Sequence, residues 1–198
     1  MRSSSHSTTA ERPLVVVTVG TDHHPFDRLV RWVDAWASTA GPSVECFIQT
    51  GTSSVVPRSA AWAPYASRDE LRALMARAAA VVCHGGPATI MDCRRAGVKP
   101  IVVPRRRAFG EHVDDHQVLF ARRSARSGDV DLVESEERLR AILDTALSET
   151  GARRIEPTGD GALAASIRRF QALADPLLGV QAAAGTERDE RVEPAVSQ

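Results

Sequence analysis

Short apolar runs alternate along the chain with stretches in which apolar positions return at helical spacing. Leu14 to Val19 is a β-branched run ending in Gly20-Thr21, the pattern of a buried strand feeding a loop. Phe26, Leu29, Val30 and Val33 then predict a helix over 25–39, with Pro25 in its first turn. Val44 to Ile48 predicts a second strand, closed by Thr50-Gly51-Thr52, and Ala60 to Trp62 a shorter third. Ser67 and Glu70 have capping-box spacing ahead of Leu71, Leu74 and Met75, which share one helical face. Ala79 to Cys83 reads as a strand broken by His84-Gly85-Gly86-Pro87, with a helix following over 87–96 and Gly97 just past its end. Ile101 to Val103 is a strand stopped by Pro104. The pattern then predicts a helix over 113–125, a strand over 129–133, and an amphipathic helix over 135–147 that opens on acidic residues.

Strands alternating with helices imply right-handed βαβ units around a parallel sheet, hence a Rossmann-like α/β fold with helices on both faces. The expected organisation is a disordered leader over 1–12, one folded domain over 13–148, a linker and C-terminal helix over 149–175, and a flexible tail over 176–198. Gly151 to Gly161 reads as a polar linker, and Leu163, Ile167, Phe170 and Leu173 are spaced to cover a surface.

A chain of 198 residues can bury one real core and is short for two full-sized domains. Acidic and basic residues balance at 25 each, so no global field draws the molecule to nucleic acid or an anionic membrane. Cys46, Cys83 and Cys93 form no C-x-x-C pair and are odd in number, which favours reduced, buried thiols. The polar leader has no apolar core of a secretory signal, and no apolar run approaches the roughly 20 residues that span a bilayer. The expected location is cytoplasmic, with any membrane association coming through a partner at the inner membrane face.

Three segments carry candidate chemistry. At His84-Gly85-Gly86 a strand end, two glycines and a helix start bring free backbone N–H groups to one point, where the helix dipole favours a phosphate. Thr89 adds a hydroxyl in the first turn, and Asp92, on the same helical face, suits a pair of ribose hydroxyls. Gly-Gly before a helix serves equally often for backbone geometry alone. The second segment, Pro104 to Gln117, follows a buried strand and so lies at the carboxyl edge of the sheet. There Asp115, His116 and Gln117 offer donors and acceptors for sugar hydroxyls. Arg105 to Arg107 could neutralise a diphosphate or simply be solvated, and Asp114 reads as a solvated residue. The third segment, Gly20-Thr21-Asp22, can share that edge with the His84 loop. His23 and His24 read as exposed neighbours in a polar loop; with no second cluster at metal-ligand spacing, no metal site is expected.

Taken together, these residues resemble the C-terminal domain of glycosyltransferase family 28. The matching features are V-T-V-G-T (Val17 to Thr21), Phe26-Asp27-Arg28-Leu29, Gln49-Thr50-Gly51 and C-H-G-G-x-x-T-I (Cys83 to Ile90). A-G-x-K-P-I-V-V-P-R (Ala96 to Arg105) and G-E-H-x-D-D-H-Q (Gly110 to Gln117) follow in the expected order. The resemblance extends to short stand-alone members, namely the catalytic subunit of the split dolichol-pathway N-acetylglucosaminyltransferase and bacterial PssE-like exopolysaccharide subunits. It implies the donor-binding, C-terminal half of a GT-B enzyme. Gly20, Thr21, His84, Gly85, Gly86 and Thr89 would hold the UDP diphosphate, and Tyr65, Ala66 and Arg105 would receive the uracil. Asp92, standing where glutamate is more usual, would bind ribose, and Asp115, His116 and Gln117 the donor sugar. The implied reaction is metal-independent inverting transfer of a hexosyl group from a UDP-sugar to a lipid-linked or polysaccharide acceptor, with no cofactor. A membrane-associated acceptor-binding subunit would complete the enzyme and supply the general base. Its docking element would be the helix around Leu163 to Leu173, or that helix would pack on its own sheet.

Two other classes compete with this reading. One is a UDP-sugar-binding or enhancer subunit that completes no active site. The other is a nicotinamide-dependent enzyme, which Val17 to Thr21 disfavours by lacking G-x-G-x-x-G, as does the absence of an acidic residue closing the second strand.

Overall fold

The computed structural model describes residues 12–148, 153–157 and Arg168. Its strands are β1 (Leu14–Thr18), β2 (Glu45–Gln49), β3 (Ala61–Ala63), β4 (Ala80–Cys83), β5 (Ile101–Val102) and β6 (Asp131–Leu132). Its α-helices are α1 (Asp27–Ala40), α2 (Arg68–Arg77), α3 (Pro87–Arg95), α4 (His116–Arg126) and α5 (Glu136–Ser148). The strands form one sheet in the order β3-β2-β1-β4-β5-β6, and every pairing is parallel. The order reverses direction between β1 and β4, so the loops after these two strands diverge and leave a crevice at the carboxyl edge.

The apolar runs are continuous because both faces of the sheet are covered. Val15, Val17, Val82, Ile101 and Val103 pack against Leu29, Val30, Val33 and Trp36 of α1 and against Leu139, Ile142 and Leu143 of α5. Leu14, Val16 and Val81 point the other way, onto Met75 of α2 and Cys93 of α3. Cys83 and Val102 meet Ile90 and Met91 of α3 and Phe120 and Ala121 of α4 in a third cluster. Trp36 Nε1 donates to Asp144 Oδ1 at 2.9 Å, tying α1 to α5. The cysteines are free, and burial pushes the Cys46 thiol up to about 12.

Beyond shifts of one or two residues at strand ends, four boundaries differ from the sequence expectation. Helix α1 begins at Asp27 rather than Pro25, because Phe26 is non-helical (φ −120°, ψ 50°) and buried, with its N–H donated to Ser53 Oγ. Helix α4 begins at His116 rather than Val113. Asp114 there accepts the His116 N–H, and Asp115 accepts the Arg107 N–H at 2.9 Å, so both carboxylates shape the loop instead of entering the helix. Residues 153–157 are not a free linker. Val98 and Arg154 form an antiparallel bridge, flanked by Lys99 N–H to Arg153 O and Ile155 N–H to Gly97 O. Lys99 and Arg153 converge on Asp131, closing the far edge of the sheet. Arg12, expected in the leader, bonds Pro42 O and Glu45. The remainder of the leader, the tail over 176–198 and all but Arg168 of the expected C-terminal helix lie outside the described residues. Among the described residues, no helix is long and apolar enough to cross a membrane.

Candidate functional site

The crevice between the β1 and β4 loops opens into a cavity of about 660 Å³. Thr18, Gly20 and Thr21 line it from one side, and His84, Gly86, Ala88 and Thr89 from the other, with Ala66 and Gln117 at its margins. A cleft of similar volume lies at the opposite ends of the strands, around Leu14, Glu45 and Arg77. Gly41 lines it, but no α-helix begins there, so the uncapped helix start that could hold an anion is at the carboxyl edge. Helix α3 begins there with Gly86 as its N-cap and Pro87 in its first turn, and no side chain caps it. Its first N–H groups therefore lack intrahelical partners where Ala88 and Thr89 face the cavity, an arrangement that attracts an anion.

The glycines here are explained by the His84 ring. A Cβ on Gly86 would stand 2.5 Å from His84 Nε2, and one on Gly20 would stand 2.6 Å from His84 Cε1. The imidazole is thus sandwiched between the two loops and holds them apart. Gly20 and Gly85 also have φ of +85 and +92, and a Cβ on Gly85 would meet Val102 Cγ1 at 2.7 Å. Burial, and then the nearby Arg105 cation, push His84 down to about 4, so the ring is neutral at physiological pH. Its Nδ1 is buried without a hydrogen-bond partner, and so is Gln117 Oε1 across the cavity. Below them, the Thr18 hydroxyl donates to Gln49 Oε1 and accepts the Gly20 N–H at 3.3 Å.

Comparison with known proteins accords with this geometry. Residues 14–160 match the glycosyltransferase family 28 C-terminal domain. The chain belongs to this family. No curated relative matches it. Among solved structures, the glycotransferase of kitacinnamycin superposes with a TM-score of 0.52 at 17% identity, covering 91% of this chain and 46% of that one. Acinetobacter baumannii MurG superposes with a TM-score of 0.51 at 20% identity, covering 86% of this chain and 51% of that one. The chain therefore spans about half the length of these structures, and its fold is that of the C-terminal half of a GT-B protein.

Within this family 28 domain, the cavity gathers most of the residues expected to hold the diphosphate: Gly20, Thr21, His84, Gly86 and Thr89. Gly85 supports them from behind, against β5. Asp92 lies on the cavity wall but is not a free carboxylate. Arg68, Arg72 and Arg95 all bond to it, Arg72 Nη2 at 2.9 Å, and four of the five bonds fall on Oδ1. Burial alone would raise its pKa; Arg68 and Arg72 outweigh that and hold it below the usual range.

Other expected residues are placed elsewhere. Arg105, expected beside the uracil, is fully buried and lies outside the cavity lining. Its guanidinium donates to the carbonyls of Val19, His24 and Glu111 and stacks over Phe26 at 4.8 Å, joining the two long loops. Tyr65 is exposed beside the lining residue Ala66. Of the three expected sugar contacts, only Gln117 lines the cavity; Asp115 is taken by the Arg107 N–H, and the His116 ring by Asp114. Sequence reasoning missed Thr18, Gln49, Arg68 and Leu71 as lining residues. Arg68 sat inside the capping-box motif, which explains its helix start but gives no sign that its side chain spans to Asp92. The expectation of no second metal-ligand cluster is also corrected, because Asp22-His23-His24 and His112, Asp114 and His116 form two such groups.

Proposed function

We propose that this chain is the donor-binding, catalytic subunit of a two-component inverting glycosyltransferase that moves a hexosyl group from a UDP-sugar to a lipid-linked or polysaccharide acceptor. The observation that carries this reading is the uncapped start of α3 facing the Gly20-Thr21 loop across a cavity at the point where the strand order reverses. A diphosphate seated there would take N–H bonds from Ala88 and Thr89 and a hydroxyl bond from Thr89. The Arg105 cation, buried behind the Val19 to His24 loop, would add positive potential without touching the ligand. As the acceptor oxygen bonds to the anomeric carbon and the bond to UDP breaks, negative charge grows on the diphosphate, where these groups are already oriented. The acceptor hydroxyl's proton passes to a base outside this chain.

The ribose would bond to Asp92 Oδ2, which takes one arginine donor among the described residues where Oδ1 takes four. The uracil would lie toward Tyr65 and Ala66, and the sugar toward Gln117. The acceptor half falls to a separate membrane-associated subunit, which would bring this chain to the cytoplasmic face of the membrane. Isothermal titration of the purified chain with UDP, UDP-sugars and NAD tests the donor site: UDP binding is expected, and NAD binding without UDP binding would end the reading. Assay with a co-expressed partner and a panel of UDP-sugars tests the reaction. UDP binding without transfer would reduce the chain to a binding subunit.

A further inference from the structure

Four histidines gather at one corner of the carboxyl edge. The ring centroids of His23 and His24 are 4.0 Å apart, those of His24 and His112 5.6 Å, and those of His112 and His116 4.6 Å. Asp22 and Asp114 stand among them. We propose that His112, Asp114 and His116 form a binding site for a divalent transition-metal ion of the zinc class.

Each of the three offers one ligand atom, and these atoms lie within 4.8 Å of one another. His112 Nδ1 is buried without a hydrogen-bond partner and stands 3.5 Å from Asp114 Oδ1. Two ligands held at zinc bond lengths in a tetrahedral arrangement are separated by about 3.4 Å, so this pair is already close to the required spacing. His116 Nδ1 is in direct contact with the same Asp114 oxygen, closer than two ligands of one ion sit, so the two side chains must part slightly as an ion enters between them. Two imidazoles and a carboxylate select zinc, nickel or cobalt over magnesium or calcium, which prefer all-oxygen sets.

The surroundings match what a ligating imidazole needs. His112 Nε2 faces Asp22 Oδ2 at 3.6 Å, placing a carboxylate behind the ring where it orients the ligand. Asp22 is itself fixed by the backbone N–H and ring Nδ1 of His24, at 2.8 and 2.7 Å. The Asp22-His23-His24 group is thus the outer support of the site rather than a second site. Asp114 is half-exposed, which leaves a path for the ion to enter. Three protein ligands leave a fourth position for water or another oxygen ligand. The ion would fasten the loop before α4 to the first turn of that helix, next to Gln117.

The test is calorimetric titration of tag-free full-length protein with zinc chloride, without nucleotide, in a His6→Gln background, with magnesium chloride as the comparison. One zinc per chain is expected, with magnesium bound at least ~100-fold more weakly. His112→Gln and His116→Gln should each weaken zinc by ~100-fold, Asp22→Asn by ~10-fold, and His23→Gln not at all. Asp114→Asn keeps an Oδ1 that can accept the His116 N–H, so it should weaken zinc while lowering the metal-free melting temperature by no more than a few degrees, which keeps the test valid if a histidine variant folds poorly. Zinc bound no more tightly than magnesium, or zinc affinity retained in the His112→Gln/His116→Gln double variant, would overturn the assignment. The readout needs no UDP, so its failure leaves the donor-site reading untouched.

Discussion

The turn between β4 and α3 and the loop between β5 and α4 lie side by side, yet they treat the start of the helix that follows differently. In the long β5–α4 loop the key groups are engaged by the protein itself. Glu111, nearly fully buried, accepts both Arg28 Nε and Nη2, at 2.8 and 2.7 Å, as well as the Arg106 N–H. Arg105 spends three bonds on backbone carbonyls. In the β4–α3 turn the helix start is uncapped and His84 Nδ1 has no partner. The β5–α4 loop also holds two buried nitrogens without partners, Arg105 Nε and His112 Nδ1, so the contrast rests on the helix starts: Asp114 accepts the first N–H of α4, whereas no side chain caps α3.

The comparison breaks most sharply at Glu111. Glu111→Ala would leave the largely buried Arg28 guanidinium without its carboxylate, keeping only the Pro104 carbonyl, and should destabilise the protein by about 3 kcal/mol in urea denaturation. A loss below 1 kcal/mol would mean that the loop is not a scaffold. Next comes pH. The unfolded His84 imidazole takes up its proton near 6.5, whereas in the folded chain it resists protonation until about 4. The unfolded state binds more protons in that window, so stability should fall by roughly 3 kcal/mol as pH drops from 6.5 to 4. His84→Gln should flatten this slope in denaturation curves taken across the window. Gly86→Ala should force the imidazole out of place and weaken UDP by about 30-fold, or ~2 kcal/mol, in calorimetry. Thr89→Ala should remove one hydroxyl bond, weakening UDP about five-fold with an unchanged melting temperature. Arg68→Ala is the mildest change: its side chain is largely exposed, so the denaturation midpoint should stay put while UDP affinity reports whether Asp92 serves the ribose.

The alternation of apolar runs and helical spacing was enough to order every strand and helix of the described domain, because a sheet buried on both faces leaves few polar interruptions. The cavity's backbone donors were legible for the same reason: glycines between a strand and a helix advertise an unusual turn. The fates of Arg105, Asp115 and His116 were not legible. Each carries a side chain suited to a ligand, and only the folded arrangement shows that carbonyls, an N–H and a carboxylate have claimed them first. The histidine corner was hidden differently, since Asp22 and His112 are distant in sequence and meet only when the loops after β1 and β5 converge. Motifs gave the chemistry available; partners decided which of it is free.

The His84 ring, wedged against Gly20 and Gly86, sets the aperture of the cleft as a washer sets the gap between two plates. A bulkier residue at either contact would pry the jaws open, and a smaller side chain at position 84 would let them close. The throat proposed to receive the diphosphate is therefore of fixed gauge. Under the proposed function, discrimination among donor sugars then has to be exercised further out, toward Gln117, where the walls can change without altering that gap.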